Sequence, residues 1–208
     1  MMLDLPKEAL VDKFVPKRRF YEKALINTKL KKRFQQDVKR ITWLYKLSEE
    51  TMGIDSTEDV EEIQIFELEL KNKKIPKKVL KVIDKSIPYP ILYIFSYEDD
   101  YAYGISLKDE RNKYYLSKWN GEKKFNFSGI NLETVYQNLV KTFIDKVHKE
   151  EKKFDEIVTI DQKIKSLEKE VKVLKNKISR ESQFNKKVEL NKKLHKKQDK
   201  LKELKKHE

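Results

Sequence analysis

Between residues 154 and 206 the chain contains neither glycine nor proline, and its apolar residues recur at alternating steps of three and four. Ile157, Ile160, Ile164, Leu167, Val171, Leu174 and Ile178 fall on one seam of an α-helix. A long helix cannot bury such a stripe alone, so the segment requires a partner helix. After Ile178 the stripe breaks around residues 179–183 and resumes out of phase with Phe184, Val188, Leu190, Leu194, Leu201 and Leu204. That slip fits a stutter in one long helix or a turn between two helices that fold back as a hairpin. A continuous helix would pair in a homodimer through the tail or dock on another protein.

The residues before this tail leave room for one domain of roughly 150 residues. Residues 6–26 read as short irregular helical pieces started by Pro6 and Pro16. Asn27 can cap a helix to about Val38. Residues 39–47 alternate, with Ile41, Trp43, Tyr45 and Leu47 on one face, which predicts a half-buried strand. Residues 48–59 read as a loop and residues 60–71 as a longer strand, with Phe66, Leu68 and Leu70 opposite Glu67, Glu69 and Lys71. A helix from Pro76, an apolar strand over 90–97, two further strands over 101–107 and 113–119, and a helix capped by Asn131 complete the pattern. The expectation is an α+β fold: a mostly antiparallel sheet of about five strands with packed helices. Residues 1–147 form the domain, with a basic helical part at 6–38, the sheet region at 39–130 and a covering helix at 131–147. Residues 148–208 form a coiled-coil or helical tail.

The net charge of +13 is concentrated at two places. Residues 17–46 and residues 175–206 each carry +9, while residues 47–174 carry −3. Clustered cations favour a polyanion, because binding releases counterions from phosphates; a Lys-filled solvent face is the alternative. The candidate nucleic-acid contacts are Lys17, Arg18, Arg19, Lys31, Lys32, Arg33, Lys39 and Arg40 in the first stretch. In the second they are Lys186, Lys187, Lys192, Lys193, Lys196 and Lys197. There is no cysteine, so neither disulfide nor thiolate chemistry is available, and His148, His195 and His207 give no ligand pair for zinc. No apolar run reaches the roughly 20 residues of a membrane span, and the first residues do not form a signal peptide. A cytoplasmic protein without membrane contact is expected. Four glycines, none spaced as a phosphate loop, argue against nucleotide hydrolysis.

Four blocks together resemble a known family: Arg40-Ile-Thr-Trp-Leu-Tyr-Lys-Leu47, Glu61-Glu-Ile-Gln-Ile-Phe-Glu-Leu-Glu-Leu-Lys71, Val82-Ile-Asp-Lys-Ser-Ile-Pro-Tyr-Pro-Ile-Leu-Tyr-Ile-Phe95 and Glu181-Ser-Gln-Phe-Asn-Lys-Lys-Val-Glu-Leu-Asn191. It is a prokaryotic domain-of-unknown-function family of small proteins, often encoded beside superfamily 2 helicases and DNA methyltransferases in restriction and phage-defence clusters. The resemblance implies a context of anti-phage defence and a protein partner of that kind; it carries over no catalytic residue. The last block is its most distinctive part, and Phe184, Asn185, Val188, Glu189 and Asn191 are its candidate partner contacts.

One pattern points to chemistry. Glu67, Glu69 and Lys71 end a strand that leads into a helix and then a buried strand, the layout of restriction-type nucleases. In these, acids hold Mg²⁺ and the lysine stabilises the attacking water. Such a site also needs an acid on the preceding strand, and residues 39–47 contain none. The competing reading is an exposed strand face with cross-strand ion pairs. Tyr89, Tyr93, Phe95, Tyr97, Tyr101, Tyr103, Tyr114, Tyr115 and Trp119 are either base-stacking platforms or core packing. The leading expectation is a non-catalytic accessory subunit of a defence complex, binding a helicase or methyltransferase through its tail and DNA through its basic stretches, with no cofactor. The alternatives are a Mg²⁺-dependent nuclease, active or inactive, and a pure assembly protein.

Overall fold

The computed structural model describes residues 3–107, 113–144 and 152–206. The chain forms two compact units, Met1–Phe143 and Ile144–Glu208. In the first, a 3-10 turn at Lys7–Ala9 leads into β1 (Leu10–Phe14), α1 (Lys17–Lys23) and α2 (Thr28–Asp37). Pro16 occupies the N-cap of α1, and the Asn27 side chain accepts the Leu30 N–H at the start of α2, 2.9 Å away. Strand β2 (Val38–Leu47) follows directly, then α3 (Glu49–Met52) and β3 (Ile63–Leu70). Next come α4 (Lys77–Ser86), β4 (Ile91–Tyr97), β5 (Asp100–Ser106), β6 (Tyr114–Leu116) and α5 (Leu132–Lys141).

The six described strands lie in one sheet in chain order. Neighbours are antiparallel except β3 and β4, which run parallel. A parallel pair needs a crossover rather than a tight turn, and α4 supplies it. On one face, Ile41, Phe66, Leu68, Tyr93 and Phe95 pack with Phe20 of α1, Phe34 of α2 and Val79, Leu80 and Ile83 of α4. On the other face Ile63, Ile65, Leu92, Tyr103 and Ile105 are buried. There the Tyr136 hydroxyl of α5 donates to the Ser106 carbonyl at 3.1 Å, and Phe125 meets the Tyr103 ring edge-on at 5.0 Å. Both faces are covered, which is why β4 is apolar without alternation. Gly104 of β5 lets the neighbouring side chains close up: a Cβ there would lie 2.7 Å from Leu116 and 3.0 Å from Phe95.

Three expectations are corrected. The sheet has six strands, not five, because β1 lies inside the segment expected to be helical pieces. As an edge strand it is mostly exposed, Asp12 has φ 43°, and its register shifts between Leu10 and Lys13, so no alternation marks it. Strand β2 does not keep one apolar face. Trp43 opposes Phe66 while Tyr45 opposes Ile65, so Leu44 is an extra residue. The bulge turns Tyr45 and Leu47 to the opposite face from Ile41 and Trp43. The segment 48–59 is not all loop: Ser48 and Thr51 cap α3 reciprocally, and Gly53 closes it in the left-handed region at φ 63°. Met1, Met2, His148, His207 and residues 145–147 of the expected covering helix lie outside the described residues.

The second unit is a helical hairpin of α6 (Phe154–Arg180) and α7 (Phe184–Lys206). Lys197 pairs with Glu170 and Lys205 with Glu168, both at 2.7 Å, so later residues of α7 meet earlier residues of α6. Ile157, Ile164, Leu167 and Val171 are buried, and Ile160, Leu174 and Ile178 are half-buried. On α7, Leu194 is buried, and Leu190, Leu201 and Leu204 are half-buried. The turn needs no glycine because Glu181 leaves α6 in the extended region, at φ −82° and ψ 125°. Its carboxylate then accepts the Gln183 N–H at 2.9 Å, at the positive end of α7. No helix among the described residues is long and apolar enough to cross a membrane.

Candidate nucleic-acid and partner interface

The hairpin tip combines apolar exposure with cations. Phe184, the first residue of α7, is 78% exposed, and Val188, one turn on, is 37% exposed. Across the turn, Val173 of α6 is 44% exposed. An open cleft of about 660 Å³ lies between the helices here, and Lys177, Arg180, Lys186 and Lys193 line it with Glu181 and Glu189. The resumed stripe therefore divides: Leu190, Leu194, Leu201 and Leu204 face α6, whereas Phe184 and Val188 face outward. Asn185 and Glu189 are exposed. Asn191 is half-buried and donates its amide to the Lys187 carbonyl at 2.9 Å, back-bonding within α7.

The cations of α7 fall into two groups. Lys186, Lys187, Lys192, Lys193 and Lys196 are exposed. Lys197 instead binds Glu170, and its hydrogen bond and charge hold that carboxyl below its usual range. Lys197 is thus part of the hairpin's own closure.

Several cations of the first basic stretch have partners of their own. Lys17 turns inward, donating to the Val38 carbonyl at 2.5 Å, and burial, then the nearby Lys71 charge, lower its pKa. Arg33 lies 3.9 Å from Asp37, and Lys31 sits over the Tyr21 ring at 6.0 Å. Arg18, Arg19 and Lys32 are exposed on α1 and α2. Lys39 and Arg40 belong to β2: Lys39 pairs with Glu69 at 2.5 Å, and Arg40 sits over the exposed Phe14 ring at 5.5 Å.

Glu67 and Glu69 do share a strand face, and both are engaged. Glu67 accepts the Ser96 hydroxyl at 2.9 Å, and Glu69 holds Lys39. Their cross-strand neighbours on β2 are Thr42 and Arg40. Lys71 lies past the strand end, with its N–H donated to the Asp37 carbonyl at 3.0 Å. No group of three or more His, Cys, Asp or Glu among the described residues is arranged to hold a metal ion. Of the aromatic set, Tyr93, Phe95, Tyr103 and Tyr115 are buried, while Tyr101 is 36% exposed.

One buried carboxyl is concealed by the sequence pattern. Asp84 of α4 accepts the Tyr93 hydroxyl at 2.7 Å on one oxygen and the Tyr114 hydroxyl on the other. Burial raises the Asp84 pKa, and the two hydrogen bonds only partly counter it. Both phenols are raised in turn, by burial and then by the Asp84 charge. The available signal was spacing: Leu80, Ile83, Asp84 and Ile87 share one helical face, so a carboxylate there must find partners. The cluster ties α4 to β4 and β6.

No match to the chain was found among curated proteins or among solved structures. The model of the family described as Domain of unknown function (DUF4391) matches residues 3–201, nearly the whole chain, and the chain belongs to that family.

Proposed function

We propose that this protein is a non-catalytic accessory subunit of a prokaryotic anti-phage defence complex. It binds a helicase or methyltransferase encoded beside it through the hairpin tip, and the DNA backbone through the lysines of α7. The observation that carries the reading is the exposure of Phe184 and, one turn on, Val188 at the start of α7, in a hairpin whose stripe residues Leu190, Leu194, Leu201 and Leu204 are turned inward. Aromatic anchors ringed by polar groups are the residues that dominate protein interfaces. The exposed lysines along α7 supply the sequence-independent, salt-sensitive part of binding to a polyanion.

Co-expression with the adjacent helicase or methyltransferase tests the partner half. The partner is expected to copurify with the wild-type chain and to be lost with Phe184→Asp. Copurification unchanged by Phe184→Asp and Val188→Asp would overturn the tip as the docking point. Incubation with plasmid and Mg²⁺ or Mn²⁺ is expected to leave the DNA uncut; cleavage abolished by Lys71→Ala would replace the accessory role with the nuclease one.

A further inference from the structure

A second feature, within the sheet unit, brings two cations of the first basic stretch, Arg19 and Lys23, to an aromatic pocket. A pocket of about 280 Å³ opens between α1 and the sheet. Its floor is Trp43 of β2 and Phe66 of β3, whose rings are nearly parallel, 8° apart with centroids at 6.3 Å. The indole N–H of Trp43 donates to the Tyr45 carbonyl at 3.0 Å, which fixes the ring and uses its polar atom. Phe20 of α1 and Tyr89, before β4, add two further aromatic side chains to the lining. Two exposed cations of α1, Arg19 and Lys23, stand at the lining, and no carboxylate does. The nearest acid by bonding, Glu62, receives the Gln64 amide at 3.2 Å and is matched by Lys46 at 2.9 Å.

The chemistry selects the occupant. A fixed aromatic floor favours a flat ring, and paired cations without a carboxylate favour an anion attached to it. The volume sits at the lower limit of ligand pockets, roughly 300 Å³, which suits one ring with its sugar-phosphate rather than an extended chain. The geometry points to a pocket for a single nucleotide, its base against Trp43 and its phosphate at Arg19 and Lys23. Base-on-aromatic contact of this kind tolerates any sequence, because every base has a π-face. Such a pocket specifies which piece of nucleic acid the sheet unit takes, and so rests on the nucleic-acid half of the proposed function. The nucleotide can come free or as an unpaired residue of a strand.

Trp43 is itself the reporter, since the chain has two tryptophans and Trp119→Phe leaves one. In that full-length background, fluorescence is titrated with deoxyadenosine monophosphate, with a short single-stranded oligonucleotide and with a blunt duplex. Quenching by the oligonucleotide, with at least a tenfold weaker affinity in Arg19→Glu/Lys23→Glu, supports an unpaired strand residue. Quenching by the mononucleotide alone, with the same sensitivity, supports a free nucleotide. No quenching by either, or quenching that the double variant leaves unchanged, overturns the pocket. The duplex, followed by anisotropy, reports on the α7 lysines independently: duplex binding with no quenching by either the mononucleotide or the oligonucleotide removes the pocket and keeps the wider nucleic-acid reading, and quenching by one of these without duplex binding does the reverse. Circular dichroism of the double variant confirms that the surface changes leave the fold intact.

Discussion

In the sheet unit, several charges are matched inside the fold. Lys39 meets Glu69, Lys46 meets Glu62, Lys73 meets Asp100, and the carboxylate of Asp84 is held by two phenols. In the hairpin, cross-helix pairs hold Lys197 and Lys205, while Lys186, Lys187, Lys192, Lys193 and Lys196 remain exposed along the helix that begins at the exposed Phe184. The apolar surface divides by place. The sheet is covered on both faces, and Leu10, Phe14, Leu25 and Ile130, exposed apolar residues of the sheet unit, lie on the edge strand and in connections, whereas the hairpin buries one seam and leaves Val173, Phe184 and Val188 exposed on its helices. A scaffold resolves its polar groups internally; a binding element keeps them facing outward. The first role suits the sheet unit apart from the pocket at Arg19 and Lys23, and the second suits the hairpin.

Substitutions should separate the two roles by size of effect. The largest loss of stability is expected at Phe34, fully buried between α2 and the sheet. Phe34→Ala should cost about 3–5 kcal/mol, measured by urea unfolding with tryptophan fluorescence, since both tryptophans lie in this unit. Tyr93→Phe should cost about 1.5–3 kcal/mol, because it removes a hydrogen bond from a largely buried carboxylate. The same cluster sets a pH dependence. The Asp84 pKa is raised in the folded state, so the folded chain binds the proton more tightly than the unfolded one between the ordinary value near 3.8 and the raised one. Its contribution to stability is therefore fully present below the ordinary value and falls as pH rises through that window. Asp84→Asn should remove this slope; an unchanged slope would show that the carboxyl is not buried as described. The smallest effect is expected at the hairpin tip. Phe184→Asp should change stability by no more than about 0.5 kcal/mol while abolishing partner binding. A loss comparable to Phe34→Ala would mean that Phe184 supports the fold, and the contrast between the units would fail.

Much of this contrast was legible in the sequence, for physical reasons that also explain the omissions. The α6 seam was readable because seven apolar residues keep heptad spacing, and the break near residue 180 marked the turn. Whether the tail closed on itself was not readable, because Glu181 makes the turn with extended backbone and a side-chain cap in place of glycine or proline. Strands β3 and β4 announced themselves by alternation and by an apolar run. Strand β1 did not, because an exposed, bulged edge strand owes its conformation to pairing with β2 rather than to its own pattern. The bulge at Leu44 was likewise invisible, although it decides which face Tyr45 and Leu47 cover. Among the candidate contacts, charge counting could not tell Lys197, held by Glu170, from Lys196 beside it. Nor could it reveal that Lys17 is directed at the Val38 carbonyl.

Duplex DNA binding across a salt series, comparing the wild-type chain with Lys186→Glu/Lys192→Glu/Lys193→Glu/Lys196→Glu, tests the central claim most directly. The assignment of the binding role to the hairpin predicts a weaker affinity and a shallower slope of log K against log salt, by about 0.9 for each phosphate no longer neutralised, with the unfolding midpoint of the sheet unit unchanged. An affinity and slope equal to those of the wild type would contradict it.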